Sequence, residues 1–423
     1  MTRARPDLLG ALWARHLASP LPRAWLGPFG GFARRACRPL ERVLLDGPPG
    51  APRLRHWAQG RWKLRTADPL DLVEERARAL GLPGLGWVAY EYAHLLEDFP
   101  AVAGAPSRWP LLAFTFFQEQ EDLPLAGLPP AEWRAPVAPA RTRSRGLEAE
   151  RPPAEFRRGV ARIRRWIEAG DCYQVNLVQA FHAPLATRDA PWLFARLRAG
   201  DAGVAGYQAL FEERGRALVC DSPELFLERQ GEHLRAQPIK GTVALPAGPL
   251  REARRRAAAW LLASEKDRAE LAMIVDLLRN DLSRVCRPGS VQVGPWPAIL
   301  ALPSLLHTCA RIRGRLRPGQ GLAQIFRAAF PSGSITGCPR LRAMERITQL
   351  ESAPRGPCLG ALGRVEPTGD FLFNVAIRTA LLEGGQLRLL AGGGITCDSR
   401  PAAEEAESRL KAERFRQVLA GPG

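Results

Sequence analysis

Lysine is the scarcest basic residue of this chain. Of its 60 lysines and arginines in 423 residues, only Lys63, Lys240, Lys266 and Lys411 are lysine. The eight cysteines contain no C-x-x-C pair and the six histidines show no ligand spacing, which argues against a zinc site or a disulfide framework. No apolar run approaches the roughly 18 residues of a membrane span. The apolar run Leu8–Ala14, behind Arg3 and Arg5, stops at Arg15–His16 without a small-x-small cleavage site. It is therefore read as part of the body rather than a signal peptide, and a cytoplasmic location is expected. Neither G-x-x-x-x-G-K-[ST] nor G-x-S-x-G occurs, which removes the P-loop and serine-hydrolase elbow.

What is present is an ordinary globular composition, 46% hydrophobic and 24% charged, with a net charge of +17. Such a charge suits a polyanion partner. The arginines are scattered, however, with no aromatic-interleaved tract, and 38 prolines accompany them. This pattern looks like GC-rich coding, and a basic nucleic-acid-binding protein is kept only as the alternative from another class. The lysine scarcity is more useful. Where arginine would serve, a lysine marks a place where the amine itself matters, because arginine cannot give up its proton.

Residues 1–130 are rich in Pro, Gly, Trp and Arg, with strand-like runs such as Arg42–Asp46 and Leu111–Phe117 and a helix around Leu70–Leu80. Residues 131–153 lack apolar periodicity and read as a linker. Residues 154–423 alternate paired strands with long helices, the latter over Arg251–Leu282, Gly321–Phe330, Arg340–Leu350 and Ala402–Leu419. Strands are expected at Cys172–Phe181, Gly360–Val365, Asp370–Leu382 and Gln386–Ala391. The pattern predicts an α+β fold with mainly antiparallel sheets.

Several segments hold candidate chemistry. Lys240 lies in Pro-Ile-Lys-Gly-Thr242, a tight, partly apolar setting that favours a neutral amine; a surface lysine before a turn is the competing reading. Glu224, between two strand-like runs, is either a general acid/base or a solvated loop residue. Glu270 borders the apolar stripe Leu271, Ile274, Val275, Leu278 and Leu282 of a helix. Glu404, Glu407 and Lys411 share a face of the last helix; Glu407 and Lys411 are either an ordinary surface ion pair, or Glu407 joins Glu270 as a second carboxylate for a hard cation such as Mg²⁺. Two glycine-rich turns, Phe330–Gly337 and Ala391–Ile395, offer backbone N–H groups to an anion.

Taken in order, GDCYQVNL (170–177), SPELF (222–226), PIKGT (238–242), EKDRAELAMIVDLLRND (265–281), GSITG (333–337), FNVAIRT (373–379), AGGGI (391–395) and DSRPAAEEAESRLKA (398–412) resemble the chorismate-utilising enzyme family. The resemblance implies one large body, a two-sheet, mainly antiparallel β-sandwich wrapped by helices, to which the N-terminal third adds strands. It implies that Lys240 attacks C2 of chorismate as the C4 hydroxyl leaves, and that ammonia then enters at C4 and expels the lysine. Lys240 is the discriminating residue, since anthranilate-forming members have alanine there. Isochorismate- and salicylate-forming members have a water-activating lysine where this chain has Gln174. The implied product is 4-amino-4-deoxychorismate, for para-aminobenzoate and folate synthesis, with anthranilate formation as the alternative. Glu224 is implied as general acid/base and His307 as the histidine near the leaving group. Glu270 and Glu407 are implied as Mg²⁺ ligands. Substrate binding is implied for Thr242, Thr336, Gly337, Arg378, Gly392, Gly393, Gly394 and Lys411. Because the chain lacks a nucleophilic cysteine elbow with a later His-x-Glu, ammonia is expected from a separate glutamine amidotransferase. The chain departs from the family at Cys338 and Arg340, in GCPR for the usual GAPK, at Leu271, and at Thr396–Cys397. Leu44-Leu-Asp-Gly47 lacks the serine of tryptophan-binding members.

Overall fold

The computed structural model describes residues 5–29, 32–48, 51–98, 107–124, 146–199, 206–245, 250–301 and 305–420. Most of the expected linker, 131–145, lies outside these residues; its end carries the short strand Glu148–Ala149, paired with Gln174–Pro184.

Every ladder between the named strands is antiparallel. One unbroken run of pairings leads from Gln174–Pro184 through Gln386–Ile395, Thr379–Glu383, Arg216–Ser222 and Tyr207–Glu213 to Arg23–Phe29. From there it continues through Phe32–Asp46, Leu112–Pro124, Gly84–Val88, Ala361–Val365, Phe371–Val375, Leu225–Gln230 and His233–Gln237 to Ile312–Arg315. The expected large, mainly antiparallel body wrapped by helices is thus present. Its halves are hydrogen-bonded to each other through Arg23–Phe29, so the N-terminal strands are structural members of the same sheet. Alternation explains the pairing. Val43, Leu45, Phe114 and Phe116 turn into the main core with Trp87, Phe226, Phe326 and Phe373.

A second, three-stranded sheet is built from Ile239–Ala244, Leu305–Cys309 and Ala298–Ala301. Two of its strands continue directly from large-sheet partners. His233–Gln237 pairs with Ile312–Arg315 in the large sheet, and after Pro238 and Ala310 the same two chain segments pair again in the small one. Proline at the junction has no N–H to offer a ladder; its carbonyl instead accepts from the Ala310 N–H.

Two expected elements are divided, and one expected turn is strand. The helix expected over Arg251–Leu282 is two, Leu250–Ala263 and Glu265–Ser283. Ser264 stops the first and caps the second, its hydroxyl accepting from the Asp267 N–H at 3.3 Å. Apolar periodicity runs through the break and conceals it. The strand expected over Asp370–Leu382 is likewise two, Phe371–Val375 and Thr379–Glu383, parted where Arg378 adopts a left-handed φ of 49°. The glycine-rich turn expected after Ala391 is instead a continuation of the strand Gln386–Ile395, with Gly392, Gly393 and Gly394 opposite Val178, Leu177 and Asn176. A side chain on Gly392 would collide with the Leu177 carbonyl, so this strand lies too close to its neighbour for anything but glycine there.

Candidate active site

Lys240 and His307 sit on neighbouring strands of the small sheet. Gly241 (φ 56°) makes a bulge there, so that Lys240 and Thr242 pair with the consecutive residues Thr308 and His307. A side chain at 241 would press on Asp267 and Leu261 at 2.9–3.0 Å. The Lys240 ammonium lies 3.2 Å from Glu270 Oε2, on the helix Glu265–Ser283. It also lies 3.4 Å from where a Cβ on Gly394 would stand, and the Gln174 amide lies against that same point. Gln174 is fully buried, and its amide oxygen and nitrogen have no protein partner. An unpaired polar group at such depth is costly unless a ligand meets it.

His307 is 1% exposed. Its Nδ1 lies 3.1 Å from the Gly241 carbonyl and 3.0 Å from Thr242 Oγ1. The carbonyl can only accept, so Nδ1 carries the proton and Nε2 presents a lone pair. Nε2 is buried without a partner. Burial, reinforced by the Arg378 charge, lowers the His307 pKa to about 4, so the ring is neutral and acts as an acceptor at pH 7.

Glu224 is 3% exposed, at the end of the strand Arg216–Ser222. Burial raises its pKa to about 7, against the pull of the Ser334 hydroxyl, Lys240 and Lys411. Such a carboxyl holds a proton for half the molecules near pH 7, the condition for both giving and taking one. Arg378 is half-buried, and its carbonyl accepts from the Asp221 N–H at 3.0 Å, three residues before Glu224. Burial lowers the Arg378 pKa and the Asp221 carboxylate opposes this.

The last helix, Pro401–Ala420, brings Glu404, Glu407 and Lys411 to the glycine strand. Lys411 donates to the Gly392 carbonyl at 2.8 Å and pairs with Glu407 at 2.7 Å. Burial works to raise the Glu407 pKa, but Lys411, Lys266 and Lys240 hold it below the usual value. Because a strand residue's N–H and C=O leave by the same edge, the Gly392 and Gly394 N–H groups face the same side as Lys411. A Cβ on Gly393 would stand 3.3 Å from Lys411 Nζ, 3.5 Å from Glu407 and 3.6 Å from Glu404. Gly393 is therefore the floor on which these groups meet.

Lys266 Nζ lies 3.2 Å from Glu404 Oε1 and 3.8 Å from Glu270 Oε1. Three of the four lysines thus converge on Glu270, Glu404 and Glu407. Hard carboxylate oxygens are the right donors for Mg²⁺, and the Lys266 ammonium stands between two of them as a cation would. With these ammonium groups in place, no three His, Cys, Asp or Glu side chains among the described residues close into a metal-sized cluster. The donor set fits a hard cation, provided Lys266 swings away; its side chain is 46% exposed and free to do so.

The remaining candidates are placed as follows. Thr242 lines the His307 side. Thr336 is fully buried and its hydroxyl donates to the Ser332 carbonyl at 3.0 Å, while its own carbonyl accepts from the Asn176 N–H; its side chain serves the turn. Gly337 (φ 142°) passes so close to the Gln174 carbonyl that a Cβ would collide. Arg340 spends its charge on the buried Asp281 and on the Ala328 carbonyl, so this departure from lysine is absorbed by helix packing. Glu404 and Lys266 join the site beyond the residues that the family resemblance implies. The three-residue spacing from Glu407 could have found the first, and the scarcity of lysine the second.

Residues 51–417 match the family model described as chorismate binding enzyme. Anthranilate synthase component 1 of Streptomyces coelicolor is 34% identical, covering 95% of this chain and 89% of that protein. Aminodeoxychorismate synthase component 1 of Klebsiella aerogenes is 35% identical, covering 84% and 83%. In fold, the chain superimposes on the crystal structure of anthranilate synthase component I from Streptococcus pneumoniae with a TM-score of 0.78, over 91% of this chain and 92% of that one, at 24% identity. A model match over most of the chain, relatives of both kinds along nearly its whole length, and a cleft that gathers lysines, glutamates and a buried acid on a glycine floor lead to one statement: the chain belongs to the chorismate-binding enzyme family.

Proposed function

We propose that the chain is an aminodeoxychorismate synthase component I, which aminates chorismate at C4 through a covalent adduct on Lys240. The observation that carries this reading is the position of Lys240. Its amine reaches the unpaired Gln174 amide and the glycine floor, and anthranilate-forming members have no amine there. Lys240, as the free amine, attacks C2; the two conjugated ring double bonds shift along the ring toward C4 and the C4–O bond breaks. Glu224, protonated in about half the molecules near pH 7, gives its proton to the departing hydroxyl, which leaves as water. Ammonia then attacks C4, both double bonds shift back, and the C2–N bond to Lys240 breaks. The Glu224 carboxylate takes the proton that the new amine sheds. Two easier substitutions replace one hard one, and the lysine's occupation of C2 directs nitrogen to C4. Arg378, Lys411 and the Gly392 and Gly394 N–H groups suit the two carboxylates of the substrate. Glu270 and Glu407, with Glu404, would hold Mg²⁺, which when bound supplies positive charge for a substrate carboxylate.

The ammonia source is proposed to be a separate glutamine amidotransferase. Ammonium dominates ammonia at neutral pH, and release beside the adduct raises the effective concentration. The purified chain should use ammonium salts, faster at higher pH, and be inert with glutamine until a glutaminase subunit is added. Glutamine-dependent turnover by the pure chain would contradict this.

A second reading, anthranilate synthase, is favoured by the 34% identity to such a protein over 95% of the chain. Incubation with chorismate, Mg²⁺ and ammonium separates the two. The proposal expects 4-amino-4-deoxychorismate; anthranilate as the main product would overturn it.

A further inference from the structure

Lys266 is the second residue of the helix Glu265–Ser283, a poor place for a lysine. The first turn of a helix carries the positive end of the backbone dipole, so a cation is disfavoured there. Its i,i+4 partner Glu270 follows it in the chain, and a lysine that precedes its glutamate makes the weaker of the two arrangements. It is also one of only four lysines among 60 lysines and arginines. Helix stability therefore gives no reason for this residue.

Its partners lie on two different helices. Nζ donates to Glu404 Oε1, on the last helix, at 3.2 Å and stands 3.8 Å from Glu270 Oε1. Both acceptors are fixed. Glu404 is 3% exposed, and the same Oε1 accepts from the Ser399 hydroxyl at 2.7 Å. Ser399 Oγ in turn accepts from the Thr396 N–H at 3.1 Å. Glu270 is 7% exposed, and its Oε2 pairs with Lys240 at 3.2 Å. The Lys266 side chain is the mobile member, 46% exposed and joined to the carboxylates by its last atom alone. An arginine would fork onto a carboxylate with two bonds; a lysine is a point charge on a flexible stem and can be withdrawn. The arrangement is thus two anchored carboxylates and one detachable cation between them.

We infer that Lys266 is a tethered stand-in for the metal of this cleft. Its ammonium holds Glu270 and Glu404 together in the metal-free protein, and a divalent cation that takes these carboxylates expels it into solvent. The inference rests on the reading of these glutamates as Mg²⁺ ligands and adds a competitor built into the chain. Because only the fraction of molecules with Lys266 withdrawn can take the metal, the lysine weakens metal binding. It also keeps like-charged carboxylates from repelling each other while the metal is absent.

The test is calorimetric titration of Mg²⁺ alone into the metal-free chain, without chorismate. Lys266→Met keeps the length and removes the charge, and it should bind Mg²⁺ about tenfold or more tightly than the parent. Lys266→Arg keeps the charge and adds the fork, and it should bind no more tightly than the parent. In EDTA, Lys266→Met should melt below the parent, and Mg²⁺ should raise its melting temperature further than it raises the parent's. Brief acetylation followed by peptide mapping reads the expulsion in the parent itself, whatever the variants do. Relative to Lys63 on the exposed strand Arg61–Leu64, Lys266 should label about threefold or more faster in Mg²⁺ than in EDTA, as the released population grows. Equal Mg²⁺ affinity in the parent and Lys266→Met, tightening by Lys266→Arg as large as by Lys266→Met, or Lys266 labelling that bound Mg²⁺ leaves unchanged would overturn the inference. The metal reading fails separately. If neither the parent nor Lys266→Met binds Mg²⁺, the metal falls and the inference with it. If binding is lost in Glu270→Gln but equal in the parent and Lys266→Met, only the role of Lys266 falls.

Discussion

The two sheets divide the chemistry unequally. The large sheet carries the glycine floor, Gln174 and Arg378, with Glu224 at a strand end, backed by the main core and by the clusters around Leu389 and Ile395. The small sheet carries Lys240 and His307 on a satellite core of Ala257, Leu261 and Leu306, to which Val243, Leu245, Ala258 and Ile299 add. The groups proposed to bind thus stand on the thicker foundation and the proposed nucleophile on the thinner one. The two meet because one pair of antiparallel segments crosses from sheet to sheet at Pro238 and Ala310. The distance from the lysine to the substrate floor is therefore set by a bend and by the ion pair to Glu270, rather than by a shared core.

The largest effect should come from breaking the small sheet's contribution alone. Lys240→Arg keeps charge and bulk but cannot become a neutral amine. It should lose the 4-amino product by on the order of 10³-fold or more, with a melting temperature near that of the parent. Near-parental turnover would show that the nucleophile lies elsewhere.

Next are the carboxylates at the seam. Glu270→Gln or Glu407→Gln removes the charge that a hard cation needs while keeping the volume. Each variant should demand far more Mg²⁺, by about tenfold to a hundredfold, and excess EDTA should abolish turnover of the parent. Activity that survives EDTA would remove the metal from the account.

Glu224 sharpens the comparison from the large-sheet side. Its folded pKa, about 7, stands above the ordinary carboxyl value of roughly 4.3. A raised pKa contributes stability that is complete below the unfolded value and is lost as pH rises through the folded one. Glu224→Gln should therefore gain stability over the parent between pH 5 and pH 8, by up to about 3 kcal/mol, although it loses activity. Thermal melts across that range test this. A parent–variant difference that does not change with pH would mean that Glu224 is not held partly protonated.

The smallest expected effect on turnover comes where the change probes the foundation itself. Leu261→Ala should cost about 2–4 kcal/mol in the satellite core. Hydrogen exchange should rise in the strands Ile239–Ala244 and Leu305–Cys309 before it rises in Gln174–Pro184. Uniform acceleration would mean that the two sheets unfold as one.

What could be read beforehand follows the same division. Lys240 carried a local signal in the rarity of lysine and its apolar, glycine-flanked setting, and Glu407 and Lys411 in their helical spacing, but the roles proposed for them and for Glu270 follow only from the family resemblance. Glu224 and His307 had no local signal beyond the family resemblance, because a buried acid and a surface acid look alike in one sequence. The fold class followed from the alternation of strands and helices. What stayed hidden are the breaks: Ser264 within a continuous apolar period, and Arg378 within a continuous apolar run. Both are tertiary events, a cap and a left-handed residue that only the surroundings demand. The glycine triad reads as a turn locally and becomes a strand because Leu177 and its neighbours approach it.

The most direct measurement of the central claim is peptide mapping of the chain after incubation with chorismate and Mg²⁺ in the absence of ammonia. Trypsin normally separates the peptides Ala236–Lys240 and Gly241–Arg251. An adduct on Lys240 blocks that cut, so the account predicts a joined Ala236–Arg251 peptide heavier by chorismate less one water, which disappears when ammonium is added. An unmodified Lys240 under conditions where 4-amino-4-deoxychorismate forms on ammonium addition, or an adduct on Lys266 or Lys411 instead, would contradict it.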